Sequence, residues 1–186
     1  MAGSEYQKRR EGNGTVFEVA PAAAPKNKFA LVFGVICGVL GLLFLSSWPF
    51  FGIFLFCGCG VLIWAASKDW RPKAHKTKAT FRVTPSAIET SGRTFNKEDI
   101  HRLIVRNGVT DLVERQRLKT EFAHSGAAGA ATVAGYEQMK TLSKIAHSLD
   151  LEAGGKAYTL AGGMDEPTAF GLLKDVRKVI GVETWS

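Results

Sequence analysis

FALVFGVICGVLGLLFLSSWPFFGIFLFCGCGVLIWAA, Phe29–Ala66, runs for 38 consecutive residues without a charge, and its reading decides the layout of the chain. One continuous helix of that length would extend about 57 Å, well beyond a hydrocarbon core of about 30 Å. The stretch must therefore fold back, and Ser46-Ser47-Trp48-Pro49 marks the place. Pro49 disfavours helix at Trp48 and is well suited to begin the next helix. The expectation is a transmembrane hairpin of two helices, 29–45 and 50–66, with Trp48 and Trp64 at interfacial levels. A cleaved signal peptide does not fit, because the apolar run starts after residue 28 and outlasts any signal core.

Charge segregates around this run. The 186 residues carry 24 Lys+Arg against 17 Asp+Glu, a formal net charge of +7. Residues 1–28 hold five cations and residues 67–82 hold six, while residues 83–186 balance 13 against 13. The turn between the helices has none. Positive flanks stay on the cytoplasmic side, so both termini are expected there. Lys68, Arg71, Lys73, Lys76 and Lys78 would lie against anionic lipid headgroups, each contributing about 1 kcal/mol. The same charge would attract nucleic acid, but its confinement beside the apolar run favours lipid as the partner.

Small residues in the run carry a packing expectation. Gly34-x-x-x-Gly38 and Gly41 form a stripe on the first helix, with Cys57 and Gly60 as facing residues on the second. Such stripes let helices approach closely in lipid; homo-oligomerisation through the same motif is the alternative. Cys37, Cys57 and Cys59 all lie inside the run, which excludes a disulfide-built module and leaves them as small apolar packers.

Outside the run, residues 1–28 read as a disordered arm, with Ala20-Pro21-Ala22-Ala23-Ala24-Pro25 of low complexity and Val16–Val19 as a short strand candidate. Residues 67–79 form a basic juxtamembrane linker. From residue 80 the periodicity becomes two: Thr80–Val83, Ala87–Thr90 and Arg93–Asn96 alternate between turn residues, Asn96–Asp99 suits a single helical turn, and Leu103–Val105 ends at Asn107-Gly108. Residues 109–143 are ambiguous and include an Ala/Gly-rich insertion near 123–135. Ser148–Glu152 and Ala157–Ala161 flank a Gly154-Gly155 turn. A C-terminal helix then begins at Asp165 and Pro167, places Phe170, Leu173, Val176 and Ile180 on one apolar face at helical spacing, and stops at Gly181.

The fold class expected is thus α+β: a two-helix transmembrane hairpin, then a small antiparallel-sheet domain over 80–182 with a capping helix. The segments Phe81–Thr90, Phe95–Val105 with Asn-x-x-Asp-Ile, Ala157–Leu160 and Pro167–Ile180 resemble the PH-like domains of bacterial membrane proteins in layout. That resemblance implies a bacterial inner-membrane protein presenting a binding scaffold, with no inherited catalytic residues.

No catalytic constellation stands out. His75, His101, His124 and His147 are isolated from one another, Gly154-Gly155-Lys156 lacks the remainder of a phosphate loop, and Asp165 and Glu166 would repel an anion from Gly162-Gly163. Neither cofactor nor metal is expected. The function expected is non-enzymatic: an interaction module offered to a protein partner or the membrane surface, with Arg106, Arg115, Arg117 and Lys119 as its candidate partner surface. The alternatives are an accessory subunit of a conjugation or secretion apparatus, and a small immunity or lysis-type membrane protein.

Overall fold

The computed structural model describes residues 3–24, 28–67, 69, 71–90, 92–110 and 136–182. It divides into two compact units, one formed by residues 1–23 with 71–186 and the other by 24–70. The first unit is α+β. Strands β1 (Glu5–Glu11), β2 (Gly14–Ala20), β3 (Ala79–Val83), β4 (Ala87–Thr90) and β5 (Arg93–Asn96) make a five-stranded antiparallel meander. A 3-10 turn, Lys97–Asp99, leads into a second antiparallel sheet of β6 (Ile100–Asn107), β7 (His147–Ala153) and β8 (Lys156–Met164). Helix α3 (Glu166–Ile180) completes it.

The N-terminal segment is corrected from an arm to part of this unit. β1 and β2 pair through a two-residue turn at Gly12-Asn13, where Gly12 takes φ +60, and β2 pairs with β3 in register Phe17↔Phe81. Phe17 and Val19 are buried, and the Phe17 and Phe81 rings stack with centroids 5.4 Å apart. β1 shows no alternation because it is an edge strand: Glu-Tyr-Gln-Lys-Arg-Arg-Glu keeps charges on both sides, which blunts edge-to-edge pairing. Its one inward anchor is Tyr6. The Tyr6 hydroxyl donates to Asp175 of α3 at 2.9 Å, and Lys8 bonds the same carboxylate at 2.8 Å. Burial, aided by the Asp175 carboxylate, pushes the Tyr6 hydroxyl up to about 12.

The core gathers side chains from both sheets and the helix: Phe17, Phe81 and Ile88 from the first sheet, Leu103, Leu149, Leu151 and Leu160 from the second, and Leu172, Val176 and Ile180 from α3. α3 starts where Asp165 accepts from the Thr168 amide at 3.0 Å and ends at Gly181 in the left-handed conformation. Lys97 donates to the Ile180 carbonyl at 2.8 Å, placing a cation at the negative end of the helix.

The second unit is a helical hairpin of α1 (Lys28–Phe44) and α2 (Pro49–Ser67). Among the described residues no helix is long and apolar enough to cross a membrane. The two-span transmembrane hairpin, and with it the multi-pass placement in a bacterial inner membrane with cytoplasmic termini, is therefore corrected. The physical reason lies at Pro49, which splits the apolar run into helices of 17 and 19 residues. These rise about 26 and 28 Å, short of a hydrocarbon core of about 30 Å. The hairpin is also an insertion within the first unit, between β2 and β3, and does not precede a contiguous domain of residues 80–182.

Because β2 is a central strand, Phe17→Ala should destabilise the first unit by about 3 to 5 kcal/mol, read by guanidinium unfolding of the full chain. Arg10→Ala, on the exposed edge, should stay within about 0.5 kcal/mol of the parent. Equal effects of the two would show that the N-terminal hairpin contributes nothing to the core.

Candidate functional site

Two features set this molecule apart from an ordinary small α+β unit, and each lies within one of its units. In the hairpin, glycines allow α1 and α2 to close. A Cβ at Gly34 would lie 2.9 Å from the Ile63 side chain, one at Gly38 would lie 3.0 Å from Cys59 Sγ, and one at Gly41 would lie 3.0 Å from the Phe56 amide. Gly52 on α2 is tighter still, its Cβ position lying 2.8 Å from the Leu45 amide. Cys57 is exposed and Gly60 has open space around its α-carbon. The facing residues of α2 are therefore Cys59, Ile63 and Gly52, in place of Cys57 and Gly60.

Away from this seam the hairpin is an apolar surface. Phe50 is 89% exposed, Trp48 70% and Phe54 75%. Among the described residues, every exposed large apolar side chain except Phe170 lies between Leu31 and Trp64. With about 1 kcal/mol or more lost for each half-exposed side chain, water as the sole cover would cost on the order of 20 kcal/mol. That is more than the whole stability of a typical domain.

In the α+β unit, the segments that lead out to the insertion and back converge on Gly162-Gly163 of β8. The Ala22 amide donates to the Gly163 carbonyl at 2.8 Å, and Arg71 Nη1 donates to the Ala22 carbonyl at 2.9 Å. Returning, Lys73–His75 forms a 3-10 turn against β8. A Cβ at Gly163 would lie 2.5 Å from the His75 carbonyl oxygen and 2.8 Å from Pro21. One at Gly162 would lie 2.9 Å from the His75 ring. Gly163 also holds φ +75. The glycine pair is a seat into which both ends of the insertion fit, which is why β8 carries no side chains there.

Neighbouring polar groups are arranged beside this seat on the outward side of β7. Leu149 and Leu151 point into the core, so Asp150 and Glu152 face the other way. Asp150 is only 6% exposed; its Oδ2 lies 3.7 Å from Arg106 Nε, and its Oδ1 has no partner. Glu152 is clamped by Arg102, at 2.6 Å, and by Arg106. The hydrogen bond from Arg102, opposed by partial desolvation, holds Glu152 below the usual carboxylate range. His75 is lowered from its ordinary value, first by burial and then by Arg71, with Asp150 acting in the opposite direction.

The sequence-predicted residues distribute unevenly over these features. Arg71 is half-buried and bonds Ala22, while Lys73, Lys76 and Lys78 are exposed on the returning segment. Lys68 lies outside the described residues. Of the candidate partner surface, Arg106 is matched by Asp150 and Glu152, and Arg115, Arg117 and Lys119 lie outside the described residues, as does the insertion near 123–135. Among the described residues no group of three or more His, Cys, Asp or Glu could hold a metal. Sequence reasoning missed the seat, although Gly162-Gly163 inside an otherwise regular strand was its signal, since paired glycines in a strand mark a close backbone approach.

Gly163→Ala should destabilise the unit by well over the about 1 to 2 kcal/mol that a left-handed alanine costs. Gly154→Ala, at φ +56 with open space around it, should cost only that strain; equal losses in chemical unfolding would show that the seat is loose. His75 supplies a pH dependence. Above its ordinary value of 6.5 it is neutral in both states and contributes none. Below that, the unfolded chain binds a proton that the folded unit resists, so stability falls with falling pH until the folded value is reached. His75→Gln should flatten unfolding free energy between pH 7 and 5 relative to the parent. The chain matches no protein-family model, no curated protein and no solved structure.

Proposed function

We propose that this chain is a non-catalytic interaction protein held at a lipid surface by its apolar hairpin, with the α+β unit as a PH-like module displayed to a partner. The observation that carries the reading is the concentration of exposed apolar side chains on residues 31–64. An apolar cover is required, and two features favour acyl chains over a protein partner. First, residues 29–66 carry no charge, so the hairpin lacks the polar rim that orients a specific protein contact. Second, Gly34, Gly38 and Gly41 are occupied within the hairpin itself, leaving no small-residue stripe of α1 for a further helix. The reading asks for partition into a lipid surface and not for passage across it. Lys73, Lys76 and Lys78, exposed on the segment that follows the hairpin, supply charge suited to anionic headgroups. Two antiparallel sheets closed by one C-terminal helix support the PH-like part of the proposal.

Flotation tests it. The full chain, detergent-solubilised and then mixed with phosphatidylcholine–phosphatidylglycerol vesicles during detergent removal, should rise with the vesicles and stay with them in carbonate. A variant in which residues 25–70 are replaced by a short Gly/Ser linker should remain at the bottom of the gradient with its sheet signal in circular dichroism intact. A full chain that remains monomeric in buffer without detergent, and does not float, overturns the reading.

A further inference from the structure

Phe170 is the exception in the pattern of exposed apolar residues: it is 52% exposed on the surface of the α+β unit, far in sequence from the hairpin. It lies in a groove of about 670 Å³ along α3, whose described lining is Phe170, Leu173, Lys174, Arg177, Lys178, Gly181 and Val182. Residues 170, 174, 177, 178 and 181 follow helical spacing, so one face of α3 presents an aromatic ring at one end and cations along the remainder. No acidic residue is among that described lining. Asp175, the nearest carboxylate in sequence, is turned to Tyr6 and Lys8. Arg177 lines the groove with its guanidinium steadied by a hydrogen bond from Nη2 to the Leu103 carbonyl at 3.2 Å, and charge-assisted hydrogen bonds from a guanidinium to a carboxylate are among the strong ones.

We propose that this groove binds an acidic peptide segment of a partner protein, one that sets an apolar side chain on Phe170 and Leu173 and carboxylates against Arg177, Lys174 and Lys178. An aromatic side chain beside an arginine is the combination that dominates binding energy at protein interfaces. The charge of the groove selects an acidic segment over a neutral one. This names the partner side of the function proposed above and rests on it.

The test uses the full chain in micelles of a neutral detergent and a fluorescein-labelled peptide of alternating glutamate and leucine, followed by fluorescence anisotropy. Saturable binding is expected, with the matching glutamine–leucine peptide at least about tenfold weaker, the equivalent of one charge-assisted hydrogen bond. Arg177→Gln should weaken the glutamate peptide about tenfold by the same reasoning. Because Arg177 also bonds β6, Lys174→Glu with Lys178→Glu, both exposed, gives a second variant with an unchanged far-ultraviolet spectrum and a comparable loss. Equal binding of the two peptides, or no loss in either variant, overturns the proposal. So does displacement of the peptide by phosphatidylglycerol vesicles but not by phosphatidylcholine vesicles, which would assign the groove to lipid headgroups. Self-association abolished by the same substitutions also overturns it, in favour of a second copy of the chain. A chain that floats on vesicles but binds no peptide overturns the groove alone. One that binds peptide but does not float overturns the lipid reading alone.

Discussion

The ladder between β2 and β3 is the constraint on which everything else hangs. These strands lie side by side, Phe17 opposite Phe81, yet residues 21–78 separate them in sequence. Closing so long a loop carries an entropic cost that grows only slowly with its length, and the ladder offsets it by burying Phe17, Val19, Phe81 and Val83 in one core. The insertion can therefore be large and chemically foreign without undoing the unit, provided that its two ends return to neighbouring positions. The Gly162-Gly163 seat enforces that return. With Pro21 and Ala22 on one side and His75 on the other, the ends are held by backbone contacts that a single β-carbon would obstruct.

The chain thereby separates two jobs that are often in conflict. Among the described residues, the exposed large apolar side chains other than Phe170 lie on the hairpin, while both sheets and α3 build the core of the first unit. The charged edge strand β1 protects the open side of the five-stranded sheet, while its Tyr6 and Lys8 tie it to α3. Burial alone would raise the Asp175 carboxylate, but the hydrogen bonds from Lys8 and Tyr6 outweigh it and hold the group below its usual range. Ser4 is held at the start of the same helix, accepting from the Asp165 amide at 2.9 Å.

Much of this architecture is legible in residue order, for identifiable reasons. β3 to β8 and α3 announce themselves because each is a short element with its own periodicity, bounded by Thr84-Pro85-Ser86, Asn107-Gly108, Gly154-Gly155 or Asp165. The turn at Trp48-Pro49 is equally plain. β1 was opaque because an edge strand of charged residues has no apolar alternation to read, and β2 was legible only at Val16–Val19. Its place in the sheet depends on β3, beyond the insertion, and no local pattern records a pairing across that distance. The helix ends mattered as well. The apolar run promised two spans, and Pro49 left each helix shorter than a bilayer core. Of the polar site, Asp150 reads locally as one more alternating residue of β7; its burial comes from groups that only the tertiary structure brings over it.

Placing an insertion between two partnered strands has a consequence for how the nascent chain matures. During synthesis β1 and β2 are made before β3 and can pair with each other, but the other edge of β2 has no partner yet. The greasy segment follows, and β3 arrives only after it. The first sheet thus stays unfinished until the insertion has been made, and its closure requires that the two ends of the insertion meet. Until β3 is made, β2 is paired on one edge only, so the N-terminal strands wait on the insertion for their place in the sheet.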